Sequence, residues 1–83
     1  MKEVKEGEVY RHFKGPFYYV MCVGLDSETR ERMVVYKHLD NSQIICVRSE
    51  KMFLEEIPER PDNVTGQKYR FERIDNLKDY NLK

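Results

Sequence analysis

The order of hydrophobic and polar positions along the chain predicts short β-strands separated by turns. The segment EVYRHF, residues 8–13, shows a period of two that is typical of a strand. Gly15 and Pro16 then predict a turn, because glycine supplies an unusual backbone angle and proline fixes φ. The next segment is FYYVMCVGL, rich in β-branched and aromatic residues, and Gly24 within it predicts a bend or a bulge.

The same alternation returns further along the chain. The segments MVVYKHL and IICVR carry the β pattern after polar turns, and QKYRFERI shows a last alternation. Five strands are therefore predicted, near residues 8–13, 17–25, 32–39, 43–48 and 69–74. Between the last two, SEKMFLEEI predicts either a bent strand or one helical turn, capped by Ser49 with Met52 and Phe53 packing inward.

Five short strands with at most one helical turn predict an all-β fold, a small five-stranded antiparallel SH3-like barrel. An OB-like barrel is the less favoured alternative, because that fold usually needs a fuller helix between its third and fourth strands. A chain of 83 residues fits one domain, since a core of this size cannot be divided. We expect the domain to span residues 1–83, with its core at 7–74 and a frayed tail at 75–83.

The composition disfavours some classes of partner. Fifteen basic residues balance fifteen acidic residues, so the weak overall field argues against a general polyanion binder or a membrane-surface protein. No apolar segment approaches the roughly 18 residues of a membrane span. The N-terminal residues MKEVKEGE also lack the apolar stretch of a signal peptide, so we expect a cytoplasmic location.

The cysteines and histidines do not predict a metal site. Two cysteines are too few for the disulfide framework of a secreted mini-protein, so we expect Cys22 and Cys46 to be reduced and to pack as small core hydrophobes. No pair among these cysteines, His12 and His38 has the spacing of a zinc knuckle or of a helical metal motif. We therefore expect no metal and no cofactor.

The first strand can turn only one of its faces to the core. Val9, Arg11 and Phe13 share a face, because residues two apart in a strand point the same way. With Val9 and Phe13 inside, Arg11 needs a carboxylate partner, because a buried charge without one is strongly disfavoured. Glu28 or Glu31, from the charged turn, is the expected partner.

The opposite face of this strand carries Tyr10, His12 and Lys14, which are then expected to face outward beside Arg48. On this assignment Phe13→Ala costs about 3–5 kcal/mol as a large core truncation. Tyr10→Ala or His12→Ala costs about 1 kcal/mol or less and weakens binding instead.

Three tyrosines and an arginine suggest an amphipathic groove. Tyr10, Tyr18 and Tyr36 each offer an apolar ring with a polar tip, and Arg48 can bind a carboxylate or a phosphate with two donors. The competing interpretation is that the same tyrosines plug the ends of the barrel, since the core is small in a chain of this length. The sequence leaves both interpretations open.

Three blocks of the sequence, GEVYRHFKGPFYYV, DSETRERMVVYKHL and VRSEKMFLE, carry a family resemblance. The chain resembles the small bacterial and phage proteins of unknown-function family 1653, which show Y-R-H-[YF]-K-G-x-x-Y-x-V, then S-E-T-x-E, V-V-Y, V-R and M-F. The resemblance runs from about Gly7 to about Ile74. It implies a compact β domain and brings no established activity.

The matching positions within the resemblance are Tyr10, Arg11, His12, Lys14, Gly15, Tyr18, Ser27, Glu28, Thr29, Glu31, Tyr36, Arg48 and Phe53. The chain also departs from the family pattern. Cys46 stands where a tryptophan is expected before V-R, Ser49 replaces a proline, and Asp40 replaces a common aromatic residue. If those aromatic residues line a ligand surface in relatives, that surface is weaker in this protein.

Three functional hypotheses follow, and the candidate binding residues are Tyr10, Arg11, His12, Lys14, Tyr18, Glu28, Tyr36 and Arg48. The first is a non-catalytic interaction module that presents an aromatic and basic groove to a peptide or a protein. The alternative is a module for single-stranded nucleic acid or a nucleotide, which the zero net charge disfavours. The third, a small hydrolase or enzyme accessory using His12 and Glu28, has the least support, because no set of nucleophile, base and orienting residue is visible.

Overall fold

The computed structural model describes residues 3–40 and 43–75 and shows a mainly-β fold with one helical turn. The elements are β1 (Val9–His12), β2 (Phe17–Leu25), β3 (Arg32–His38), β4 (Ile45–Ser49), α1 (Glu50–Phe53) and β5 (Phe71–Arg73). The five predicted strands are confirmed, with ends that differ by two residues or fewer. The predicted tail lies, after residue 75, outside the described residues.

The strands form one antiparallel sheet in the order β4-β3-β2-β1-β5. β4 pairs with β3 and β5 pairs with β1, and the sheet is not closed into a barrel, so the prediction of a closed barrel is wrong. Closure needs strands long enough and tilted enough to bring both edges into register, and β5 has only three residues. The helix α1 instead packs on one face of the sheet, which we call the inner face.

A β-bulge in β2 decides which side chains of that strand reach the inner face. The register between β2 and β3 shifts between Val20 and Cys22, whereas Gly24 pairs regularly with Met33, so the bulge predicted at Gly24 is misplaced. The extra residue lets Val20 and Val23 both pack on the core although they are three positions apart. Cys22 is left exposed, and its prediction as a core hydrophobe is wrong.

The segment after β4 forms the helical turn rather than the bent strand. Ser49 caps α1, and its Oγ accepts a hydrogen bond from the Met52 backbone N at 3.2 Å. Phe53 is completely buried as predicted, but Met52 is 47% exposed and does not pack inward. A single turn of four residues directs only one of these two neighbouring side chains towards the sheet.

Three rings on the inner face, Tyr10, Phe53 and Phe71, form what we call the aromatic core. Phe53 stacks flat on Phe71 with ring centroids 4.0 Å apart, and it meets Tyr10 edge-on at 5.0 Å. Val20 and Val34 pack around these rings and are fully buried. Rings of this size bury roughly 150–250 Å² each, so they dominate the stability of so small a domain.

The face assignment predicted for the first strand is wrong for Tyr10. β1 ends at His12, so Phe13 lies in the following turn and its direction is not governed by strand alternation. Phe13 is 1% exposed as expected, yet Tyr10 is also buried at 4% and points to the inner face. Val9 is buried on the opposite face, so both sides of this short strand are covered near its start.

An arginine and a glutamate hold the N-terminal segment against the sheet. Arg32 Nε donates to Glu50 Oε1 at 3.0 Å, and the second oxygen of Glu50 accepts from the Val4 backbone N at 2.9 Å. Arg32 also donates to the Val4 carbonyl at 3.2 Å. Val4 is thereby placed in the core with 1% exposure, although it precedes the boundary predicted at residue 7.

The predicted clasp between Arg11 and a carboxylate of the charged turn is wrong. Arg11 lies opposite Phe17 at the start of β2, whereas Glu28 and Glu31 follow the end of the same strand at Leu25. Nine residues of strand separate the two places by roughly 25 Å. Arg11 instead donates from Nε to the Gly15 carbonyl at 3.2 Å, and its guanidinium lies 5.1 Å from the Phe17 ring centroid.

Candidate functional site

Next to the aromatic core, side chains from four strands meet in a group that we call the rim cluster, which is half-buried except for Tyr36, buried at 4% exposure. Its members are His12, Tyr18, Tyr36, His38 and Arg48. Tyr36 and His38 share a face of β3 because they are two residues apart, and Arg48 reaches the same face from the neighbouring strand. The order of strands in the sheet therefore brings together residues that lie far apart in the sequence.

Tyr18 occupies the centre of the rim cluster. Its ring centroid lies 4.4 Å from that of His38, 5.3 Å from Tyr36 and 6.2 Å from His12. It also meets Phe71 edge-on at 5.4 Å, which connects the rim cluster to the aromatic core. Burial raises the pKa of the Tyr18 phenol above its ordinary value, so the hydroxyl stays protonated at neutral pH.

Arg48 is the half-buried cation of the rim cluster. Its Nε donates to the Tyr36 hydroxyl at 3.3 Å, and this bond fixes the plane of the guanidinium. None of the ion pairs formed among residues 3–40 and 43–75 involves Arg48, although half-buried charges are usually paired. The structure thus places a positive charge beside aromatic rings, and no carboxylate of residues 3–40 and 43–75 neutralises it.

His12 is neutral and presents a donor. Its Nδ1 accepts a hydrogen bond from the Lys14 backbone N at 3.1 Å, so the proton of the neutral ring resides on Nε2. Burial first, and then the positive charges of Arg70, Lys14 and Arg48, together lower the pKa of His12 to about 4. The ring stacks on Phe13 with centroids 4.4 Å apart.

Other cations near His12 are paired with carboxylates, unlike Arg48. Arg70 pairs with Glu55, and Arg60 and Lys14 both pair with Asp62. The local potential is therefore positive but modest, with Arg48 as its strongest unneutralised contribution among the described residues. This distribution favours recognition of one anionic group over binding of an extended polyanion.

His38 is the rim residue that the sequence analysis missed. It packs against Tyr18, and its Nδ1 lies 3.7 Å from Asp40 Oδ1. The signal that finds it is the alternation in MVVYKHL, because a strand that turns Tyr36 inward must turn His38 inward as well. The structure also gives Cys46 a place beside this group, half-buried against the core as predicted for a small hydrophobe.

The eight predicted site residues fall into separate parts of the fold. His12, Tyr18, Tyr36 and Arg48 come together in the rim cluster. Tyr10 lies beneath them in the aromatic core, with its hydroxyl donating to Glu8 Oε1 at 3.0 Å. The remaining three are Arg11 near Phe17, Lys14 on the exposed turn after β1, and Glu28 in the distant turn between β2 and β3.

The geometry separates the two residues named in the catalytic hypothesis. His12 and Glu28 lie near opposite ends of β2, which removes the acid and base pair on which the hydrolase hypothesis rested. The rim cluster presents stacking faces, phenol hydroxyls, an imidazole donor and a guanidinium, which are groups that contact ligands in protein binding sites. Within the described ranges, no three histidine, cysteine or acidic side chains are placed to hold a metal ion, and both cysteines are free thiols.

Comparison with known proteins identifies a family but no characterised relative. The family model described as "Protein of unknown function (DUF1653)" matches residues 8–73, so the chain belongs to that family. Neither the curated proteins nor the solved structures give a match. In the part of the chain that the structure describes, no helix is long and apolar enough to cross a membrane.

Proposed function

We propose that this member of the DUF1653 family is a non-catalytic interaction module whose rim cluster contacts a peptide or a protein. The observation that carries the proposal is Arg48, a half-buried guanidinium held by the Tyr36 hydroxyl and left without an ion pair among the described residues. Partial burial of an unneutralised charge costs stability, and a partner that supplies an anionic group offsets that cost.

The surroundings of Arg48 support a protein partner. Tyr18 offers a half-buried apolar ring with a polar tip, the kind of group that recurs at sites of protein recognition, and the buried Tyr36 beside it contacts both Tyr18 and Arg48. An SH3-like relationship is part of the proposal, supported by the strand order β4-β3-β2-β1-β5 with a helical turn after β4. A cytoplasmic location is also part of it, supported by the two free thiols.

A second candidate function, binding of single-stranded nucleic acid or a nucleotide, is favoured by one observation. Lys14, Arg48, Arg60 and Arg70 all lie near enough to His12 to lower its pKa, and they surround rings on which bases stack. Two features oppose this function. Three of the four cations are paired with carboxylates, and the chain carries no net charge.

Amide chemical-shift mapping tests the proposal against its alternative. The ¹⁵N-labelled protein is titrated separately with a mixture of random short peptides and with oligothymidine. We expect the peptides to shift the resonances of Tyr18, Tyr36 and Arg48 and the oligonucleotide to leave them unchanged. Arg48→Gln should remove the shifts, whereas Arg30→Gln, in the exposed turn far from the rim cluster, should keep them. Shifts confined to the 57–67 loop contradict the proposal.

A further inference from the structure

The two edges of the sheet are built differently. β4 forms one edge and, among the described residues, pairs only with β3. In an antiparallel pair every second residue of an edge strand points its backbone N–H and C=O away from the partner. β4 therefore offers a row of backbone groups along its outer side, over five residues.

The opposite edge, at β5, is short and partly covered. β5 has three residues, and the segment just before it pairs with the chain that follows α1. Ile57 N donates to the Lys68 carbonyl at 3.0 Å, and Arg70 N donates to the Glu55 carbonyl at 2.9 Å. This edge thus has the protection that sheet proteins commonly give to an edge, whereas no second segment of the described residues pairs with β4.

The β4 side chains on the outer face, the face of the sheet opposite α1, provide little protection against pairing of another strand along this edge. Ile45 is 55% exposed and Val47 is 60% exposed, and neither is a charge or a proline. The charge in this strand is Arg48, which faces inward to the rim cluster. An inward-facing charge on an edge strand discourages pairing with an arbitrary strand, because the added strand has to accommodate the charge. The charge also makes pairing selective, because an added strand that places a carboxylate beside Arg48 neutralises the guanidinium.

We propose that β4 accepts an extended peptide as a sixth strand and that an acidic side chain of the peptide pairs with Arg48. Directly opposite residues on adjacent strands have Cβ atoms about 5 Å apart, which places a Glu or Asp side chain within reach of the guanidinium. Because Nε is engaged by the Tyr36 hydroxyl, the terminal Nη groups are the donors that meet the carboxylate. The inference rests on the proposed function and adds the conformation and charge of the ligand.

The probe is a bead-bound library of seven-residue peptides whose central position is Glu, Gln or Lys and whose other positions are randomised. We expect the wild-type protein to retain Glu peptides at least about tenfold over Gln peptides, since the charge-assisted pair is lost with Gln. Arg48→Gln should abolish this preference, and Arg30→Gln should keep it. Equal retention of the three classes, preference for Lys, or displacement of the peptides by oligothymidine overturns the proposal.

Backbone methylation separates strand pairing from other modes of binding. The retained peptides are resynthesised with N-methyl groups on alternate amides, in each of the two possible phases. We expect at least one phase to lose binding, because methylation removes donors from the new ladder and keeps every side chain. If both sets of methylated peptides bind as before and the Tyr18 and Arg48 resonances still shift, the strand-pairing proposal is wrong and the proposed function stands. If no peptide is retained, both fail.

Sedimentation equilibrium tests whether the β4 edge is already occupied by a second copy of the chain. We expect a monomer. A dimer that Val47→Lys dissociates would assign the edge to self-association and overturn the proposal. Val47 serves as the probe because its side chain is exposed on the outer face and lies outside the rim cluster.

Discussion

Tyr10 and Tyr18 lie directly opposite each other on β1 and β2, yet they belong to two different regions of the inner face. Tyr10 is buried in the aromatic core, and its hydroxyl is satisfied by Glu8. Tyr18 is half-buried in the rim cluster beside an arginine that has no ion pair among the described residues. Residue type does not decide which tyrosines are buried. The two rings that contact Phe53 of α1, Tyr10 and Tyr36, are each 4% exposed, whereas Tyr18 lies beside them and stays half-buried.

The largest effect is expected at the centre of the aromatic core. Phe53→Ala should destabilise the domain by about 3–5 kcal/mol, because a completely buried ring that contacts Tyr10, Tyr36 and Phe71 is removed. Urea unfolding measures the change, and Phe53→Leu keeps the variant foldable if alanine does not. Met52→Ala, in the same helical turn but 47% exposed, is the matched control and should change stability by about 0.5 kcal/mol or less.

Tyr10→Ala should cost about 3 kcal/mol or more, because the variant loses a buried ring of the aromatic core. Tyr10→Phe should cost only about 1 kcal/mol, the typical value of the single hydrogen bond to Glu8 that it removes. Denaturant midpoints of the two variants separate packing from hydrogen bonding. A Tyr10→Ala variant as stable as the wild type would contradict the burial of Tyr10 and show that Tyr10 contributes little to the core, which removes its contrast with Tyr18.

Acidification should destabilise the protein through His12. Its pKa is about 4 in the folded state and about 6.5 when unfolded, so between these values only the unfolded chain takes up the proton. Stability is unaffected above about pH 6.5 and falls as the pH decreases towards about 4. His12→Asn, whose Oδ1 can still accept from Lys14 N, should weaken this dependence. Thermal midpoints at both ends of the window measure the difference, and identical pH profiles for wild type and His12→Asn contradict it.

Arg48→Gln should leave the free energy of unfolding within about 1 kcal/mol of the wild type, because it removes a charge that no described carboxylate compensates. Its effect should appear in peptide binding. Arg32→Gln is the matched contrast, since it breaks the contacts to Glu50 and Val4 and should lower the unfolding midpoint more without affecting binding. If the order of the two midpoints is reversed, Arg48 is structural rather than a binding residue.

The smallest effect is expected at Glu28. Its exposed turn lies beyond the end of β2, far from both the aromatic core and the rim cluster, so Glu28→Ala should change stability by about 0.5 kcal/mol or less. Peptide binding should also be unchanged. Unfolding and amide-shift titrations of this variant check both expectations. A loss of stability that is not additive with that of Arg11→Ala would show that the two residues interact after all.

Local chemistry was sufficient to predict the elements of this fold from the sequence. Gly15 has the positive φ of 115° that its turn requires, and Pro16 follows it before β2 begins. Ser49 caps α1 through its hydroxyl, as its place before Met52 and Phe53 indicated. These features depend on residues within a few positions of one another, so the sequence contains all the information that they need.

Four of the five rim residues, all but His38, were predicted from the sequence. Tyr18, Tyr36 and Arg48 were identified because a tyrosine combines an apolar ring with a polar tip and an arginine can bind an anion with two donors, and the alternation in β3 indicates His38. Glu28 was included through a pairing that the length of β2 forbids. A sequence pattern indicates which residues share a strand face, but it does not indicate which strand ends lie together.

Strand and turn positions, the helical cap and the candidate rim residues were determined by the sequence itself, through alternation and backbone preferences that act over short distances. The tertiary structure alone decided that β1 stops at His12, which frees Phe13 from the alternation and sends Tyr10 to the core. It also decided that the sheet stays open and that Arg32 pairs with Glu50. These outcomes depend on which segments, distant in the sequence, pack on the inner face, and this depends on the packing of the whole chain.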